Sequence, residues 1–117
     1  MLAVGADEVA AVLQALPQDV RRRAEAVPIV FEKWPSRAFI ADGIEEDTLG
    51  LFLGPSSLDD PGASPLPAQI ILFLEAIWDA AGGAERPYRK EIRKTLLHEL
   101  GHSLGWEESE LEARHLD

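Results

Sequence analysis

The chain has 117 residues, enough for one domain with one modest core. Acidic residues outnumber basic ones by 21 to 11, so the net charge of −10 disfavours both nucleic acid and anionic membrane surfaces as partners. Because the chain has no cysteine, disulfides, cysteine-ligated zinc and thiol nucleophiles are excluded.

The start of the chain has a helical pattern. Apolar residues recur at helical spacing: Val9, Val12, Leu13 and Leu16. Asp7 and Glu8 favour a helix N-terminus, and Pro17 ends this first helix. No basic stretch precedes Asp7, so the start does not resemble a secretory signal, and we expect a cytoplasmic protein.

A helix and three extended segments are predicted next. The helix covers residues 19–26, and strands are predicted at 28–34 and 47–53. Residues 38–41 are expected to form a short strand or an extended loop. A proline-rich loop over residues 55–67 then separates these elements from the second half of the chain.

The second half contains the longest helix. Residues 69–74 hold the longest apolar run, which is too short to span a bilayer and favours a third strand over a buried helix. A short helix over 75–81 follows. Pro87 is expected as the first residue of a helix that extends to Leu104, and 107–115 form a last short helix. These interleaved helices and strands predict one α+β domain over residues 1–117.

The sequence His98-Glu99-Leu100-Gly101-His102 carries the functional prediction. Residues four apart share one face of a helix, so both imidazoles can bind one tetrahedral Zn²⁺. Glu99 is offset around the helix and can hold a water at the metal as a general base. The apolar residues of this helix fall on the opposite side: Ile92, Leu96, Leu97, Leu100 and Leu104. A metal site is therefore favoured over the alternative of two exposed histidines on a polar face.

A third protein ligand is needed for catalytic zinc, which keeps its fourth position for water. Gly105 can turn the chain sharply and return the residues after it to the metal. Glu108 stands ten positions after His98, where the H-E-x-x-H-x-x-G-x-x-H pattern has its third histidine. We therefore predict His98, His102 and Glu108 as the ligands. Other residues remain open as the third ligand: Glu107, Glu110, His115, Asp59 and Asp60.

With these residues the chain resembles the small bacterial zincin-like proteins, a family of candidate zinc metallopeptidases. The specific part of the resemblance is IRKTLLHELGHSLG at 92–105, and looser similarity covers LGLFLG at 49–54 and PAQIILF at 67–73. The resemblance implies a minimal zincin fold, in which a small mixed sheet packs on the active-site helix between N- and C-terminal helices. The family often has Asp where this chain has Glu108.

The chain departs from the larger metzincins in two respects. Its only methionine is Met1, so no Met-turn follows the motif. Its only tyrosine is Tyr88, which we expect to pack in the core rather than to stabilise an oxyanion.

The favoured function is a zinc-dependent hydrolase of peptide or protein substrates, with Glu99 as the general base. The edge of the strand predicted at 47–53 could hold an extended peptide. One alternative is a metal-bearing module that binds peptides or proteins without turnover, because 117 residues leave little material for a deep cleft. Another is a closed structural zinc site that holds the C-terminal segment in place.

The two-histidine site predicts a pH limit for metal binding. Imidazole binds a metal only when neutral, and the ordinary pKa of histidine is about 6.5. Zinc content, measured after dialysis at a series of pH values, should therefore fall below a pH of about 6.5. Zinc content that stays constant down to a pH of about 4 would argue against two histidine ligands.

Overall fold

A computed structural model describes residues 2–54 and 68–103. The described residues form five helices and three strands, in the order α1 Leu2–Ala15, α2 Gln18–Glu25, β1 Ile29–Glu32, α3 Arg37–Ala41, β2 Gly50–Leu53, β3 Gln69–Phe73, α4 Leu74–Ala80 and α5 Glu85–Ser103. None of these helices combines the length and the apolar character that crossing a membrane requires.

The three strands form one mixed sheet in the order β1-β3-β2. Strand β1 runs parallel to β3, with Ile29 opposite Ile70, and β2 runs antiparallel to β3, with Leu51 opposite Ile71. The central strand β3 is an almost unbroken apolar run because helices or loops cover both of its faces. The two outer strands each leave one edge of the sheet without a partner strand among the described residues.

Alternate residues of β3 enter two apolar clusters. Ile70 and Leu72 face the main core, which α1, α2, α4 and α5 build together with the sheet. Ile71 and Phe73 face the other side, where Phe73 meets Phe39 of α3 edge to face at 6.2 Å between ring centroids. The sheet is thus the middle layer, and α5 lies on its larger apolar face.

Helix α5 is held in place by a buried stripe and by one basic side chain. The buried stripe consists of Tyr88, Ile92, Leu96, Leu97 and Leu100. Arg89 forms ion pairs with Asp7 and Glu8 of α1, at 3.0 and 3.3 Å, and with Glu85 of its own helix at 3.2 Å. Asp7 and Glu85 are exposed and Arg89 is only partly buried, so burial of the stripe stabilises the packing of α1 on α5 more than the ion pairs do.

The expected α+β fold, with a small mixed sheet against the helix of the motif, is confirmed. The expectation for 38–41 was wrong, because α3 occupies these residues. Ser36 explains the helix: its hydroxyl caps the N-terminus by accepting a hydrogen bond from the Phe39 N–H at 3.3 Å.

The start of the last helix also differs from the prediction. Helix α5 begins at Glu85, so Pro87 is its third residue and not its first. The first helical hydrogen bond runs from the Tyr88 N–H to the Ala84 carbonyl at 3.0 Å. Proline is tolerated at this position because N–H groups of the first turn have no partner within the helix. The predicted loop at 55–67 and the predicted helix at 107–115 lie outside the described residues.

Candidate metal centre

The last two turns of α5 bring together His98, Glu99 and His102. The imidazole rings of His98 and His102 lie 4.5 Å apart between centroids and are tilted by 59°. A carboxylate oxygen of Glu99 lies 3.7 Å from Nδ1 of His102. One ligand atom from each of the three residues lies within 4.8 Å of the others, so the group could hold one metal ion.

The three side chains differ in their access to solvent. The His102 side chain is 49% exposed and that of Glu99 is 9% exposed, while His98 is intermediate. The histidines therefore lie away from the buried stripe, as their spacing predicts. Glu99, by contrast, is a buried charged residue at the boundary between α5 and the sheet.

Gly50 allows α5 to lie this close to β2. A Cβ atom at Gly50 would stand 2.6 Å from Cγ2 of Thr95 and 3.3 Å from Cγ of Glu99. Any larger residue would therefore displace the Thr95 side chain and crowd Glu99, or move the helix away from the strand. The role of Gly50 in positioning Glu99 was not predicted from the sequence. A glycine inside an otherwise apolar strand is the available signal, since it marks close backbone approach.

The outer edge of β2 provides a partner for Glu99. The Phe73 N–H donates to the Leu49 carbonyl at 2.9 Å, so Leu49 and Phe73 form a hydrogen-bonded pair. In an antiparallel ladder every second pair is of this kind, so Leu51 and Leu53 also bond to β3. The main-chain groups of Gly50 and Phe52 consequently face the outer edge. The Phe52 N–H donates a hydrogen bond to the Glu99 carboxylate there.

Burial raises the pKa of the Glu99 carboxyl above its ordinary value of 4.5. The neighbouring His102 and His98 oppose this rise when they are charged, as does the hydrogen bond from Phe52. A carboxylate whose proton affinity is raised in this way is a stronger base than an exposed carboxylate.

The donor set fits a zinc-type ion. Two imidazole nitrogens and a carboxylate oxygen are ligands that Zn²⁺ accepts, and the exposed side of His102 leaves access for a water or a substrate. Glu108, the predicted third ligand, lies outside the described residues. So do the residues that remain open in its place: Glu107, Glu110, His115, Asp59 and Asp60. The identity of the third ligand therefore stays a prediction.

Tyr88 is fully buried and packs edge to face on Trp78, with ring centroids 5.0 Å apart. Burial raises the pKa of its hydroxyl. Tyr88 precedes His98 by ten residues on α5, which corresponds to roughly 15 Å along the helix axis. Its position is that of a core residue, as expected, and not that of a group beside the metal site.

A sequence model of the zincin-like metallopeptidase family matches residues 24–116. The chain belongs to the zincin-like metallopeptidase family. The match includes all three strands and α5 with its motif, and it leaves α1 outside. Comparison with curated proteins found no match. Membership of the zincin-like family suggests a metal ion, usually zinc, at the site that His98, Glu99 and His102 form.

The burial of Glu99 predicts a pH-dependent loss of stability in the metal-free protein. Its pKa is raised by folding, so the free energy of unfolding should fall as pH rises from about 4.5 through the pKa of the folded protein. Glu99→Gln removes this charge and can still accept the hydrogen bond from Phe52. In urea unfolding at several pH values, the variant should therefore be more stable than the wild type at pH values of about 8, and this advantage should vanish near pH 4.

Glu91→Gln, on the same helix, serves as the matched control and should retain the pH dependence of the wild type. An advantage of Glu99→Gln that is equal at every pH, or absent, would contradict the burial argument.

Proposed function

We propose that this zincin-like chain is a zinc-dependent peptidase. The observation that carries the proposal is the placement of His98, Glu99 and His102 together beside the edge of β2 that has no partner strand among the described residues. In this proposal the histidines supply metal ligands, the buried carboxylate supplies a base, and the strand edge supplies a surface for an extended substrate.

His98, His102 and Glu108 would hold the ion in this proposal. When bound, Zn²⁺ supplies Lewis acidity, which lowers the pKa of a water and polarises a carbonyl group. The imidazoles contribute neutral nitrogen donors from one helix, so their separation is set by the helix itself. Glu108 would contribute a negative charge and leave one position open.

Glu99 would act as the general base and then as the general acid. Its carboxylate accepts a proton from the attacking water and returns that proton to the leaving amine of the substrate. The raised pKa favours uptake of the first proton, and the hydrogen bond from Phe52 keeps the carboxylate oriented. Glycine at position 50 leaves the space in which this side chain lies, since a Cβ atom there would stand 3.3 Å from Cγ of Glu99.

An extended peptide would bind along the outer edge of β2. The Phe52 N–H at this edge donates to Glu99, so a peptide would pair with the main-chain groups of Gly50 and with the Phe52 carbonyl, which face the same edge. A strand edge binds peptides through main-chain hydrogen bonds that do not depend on substrate sequence. Because Glu99 lies at the same edge, a peptide paired there would pass beside the base. Peptide and unfolded protein segments are therefore the proposed substrate class.

A metal-bearing binding module without turnover is the second candidate. The position of Glu99 favours this candidate in one respect, because its carboxylate oxygen and a nitrogen of each histidine lie within 4.8 Å of one another and could bind the same ion. If Glu99 completed a closed structural site, no base would remain. Metal binding by Glu99→Gln separates the two functions. If Glu99 is a metal ligand, the variant should bind the metal more weakly, whereas if Glu99 is only a base, the variant should keep the metal.

Glu99→Gln is therefore expected to keep the metal and to lose at least about a hundredfold of the hydrolysis rate. Metal content would be measured by mass spectrometry of purified protein, and hydrolysis by following cleavage of a mixed peptide library. Glu91→Gln is the control and should cleave like the wild type. Full activity in Glu99→Gln would contradict its role as the base, and loss of metal in that variant would favour the structural alternative.

A further inference from the structure

A concave surface lies at the end of the sheet where β1 ends and β2 begins. Four large hydrophobic side chains of the described residues are exposed, and two of them, Trp34 and Ile40, line this cavity. Each is 44% exposed, and the cavity measures about 470 Å³. Its lining residues, here called the Trp34 pocket, are Trp34, Pro35, Ile40, Glu46, Asp47 and Asp79.

The Trp34 pocket combines an apolar wall with three carboxylates. Trp34, Pro35 and Ile40 come from the turn after β1 and from α3, whereas Glu46 and Asp47 come from the loop before β2. Asp79 reaches the pocket from α4. Within residues 2–54 and 68–103, none of the three carboxylates forms an ion pair with a basic side chain. Within these described residues, no side-chain cation therefore offsets the three negative charges.

Three exposed carboxylates are expected on the solvated surface of an acidic protein, but that does not explain why the apolar side chains of Trp34 and Ile40 are exposed beside them. Exposed aromatic and aliphatic side chains that share a cavity mark a contact surface, since burying them in a partner is favourable. A cation on an aliphatic stem satisfies both parts of the pocket. Its charge would be attracted to Glu46, Asp47 and Asp79, while its stem and planar head would cover the Trp34 ring.

We propose that the Trp34 pocket binds an arginine side chain of an extended peptide segment, with an apolar neighbour of that arginine against Ile40. Arginine suits the pocket better than lysine because its planar guanidinium stacks on an indole ring and donates to two carboxylates at once. The pocket shares no residue with the metal centre. Binding there needs neither the metal nor hydrolysis, so it can be tested whether or not the chain is a peptidase.

The test uses a fluorescein-labelled peptide with one arginine between two leucines in a glycine–serine background, and a matched peptide with glutamine in place of arginine. Fluorescence anisotropy is recorded on the full chain in excess chelator, so that cleavage does not interfere. The arginine peptide should bind at least about tenfold more tightly than the glutamine peptide, and its affinity should fall as salt is added.

Variants of the protein locate the binding site. Trp34→Ala should weaken binding of the arginine peptide at least about fivefold, and so should the double variant Glu46→Gln with Asp47→Asn. Glu45→Gln is the matched control, because Glu45 is an exposed neighbour that does not line the pocket. These side chains are exposed, and circular dichroism would verify that each variant is folded.

Equal binding of the arginine and glutamine peptides would overturn the proposal, and so would no measurable binding of either. It would also be overturned if Trp34→Ala and the double variant bind the arginine peptide as tightly as Glu45→Gln does.

Discussion

The close approach of α5 to β2 at Gly50 is the contact on which the rest of the site depends. Because Gly50 has no side chain, Thr95 and Glu99 lie directly against the strand. Glu99 thereby reaches the Phe52 N–H at the outer edge. In the same orientation of α5, its apolar stripe faces the main core, and His98 and His102 lie on the side nearer to solvent. This one close approach thus sets the positions of Glu99, the two histidines and the strand edge relative to one another.

The site contains the most costly burial that the described residues show. Among the described residues, only Glu99 and Ser103 are buried and polar or charged, and the Ser103 hydroxyl donates a hydrogen bond to the Leu100 carbonyl at 2.8 Å. Within the same part of the chain, the two histidines are the only basic residues beside Glu99, so its charge is poorly compensated when they are neutral. Burying a carboxylate in this way is unfavourable for folding, and it is the same burial that raises its proton affinity for chemistry.

The function-bearing helix was predictable from sequence because its signals are local. The spacing of His98 and His102 and the apolar stripe follow from 3.6 residues per turn alone. The contact at Gly50 was not predictable, since it depends on pairing between segments distant in the chain. The same is true of the Trp34 pocket, which four separate segments of the chain form. At α3, the local cap from Ser36 outweighed the extended pattern.

The central claim is that α5 holds a metal ion between His98 and His102. The most direct measurement is the metal content of protein purified without chelator and titrated with Zn²⁺, for the wild type and for His98→Ala. The account predicts about one ion per wild-type chain and a large loss of zinc affinity in His98→Ala. A wild-type chain that carries no metal and takes up none on titration would contradict it.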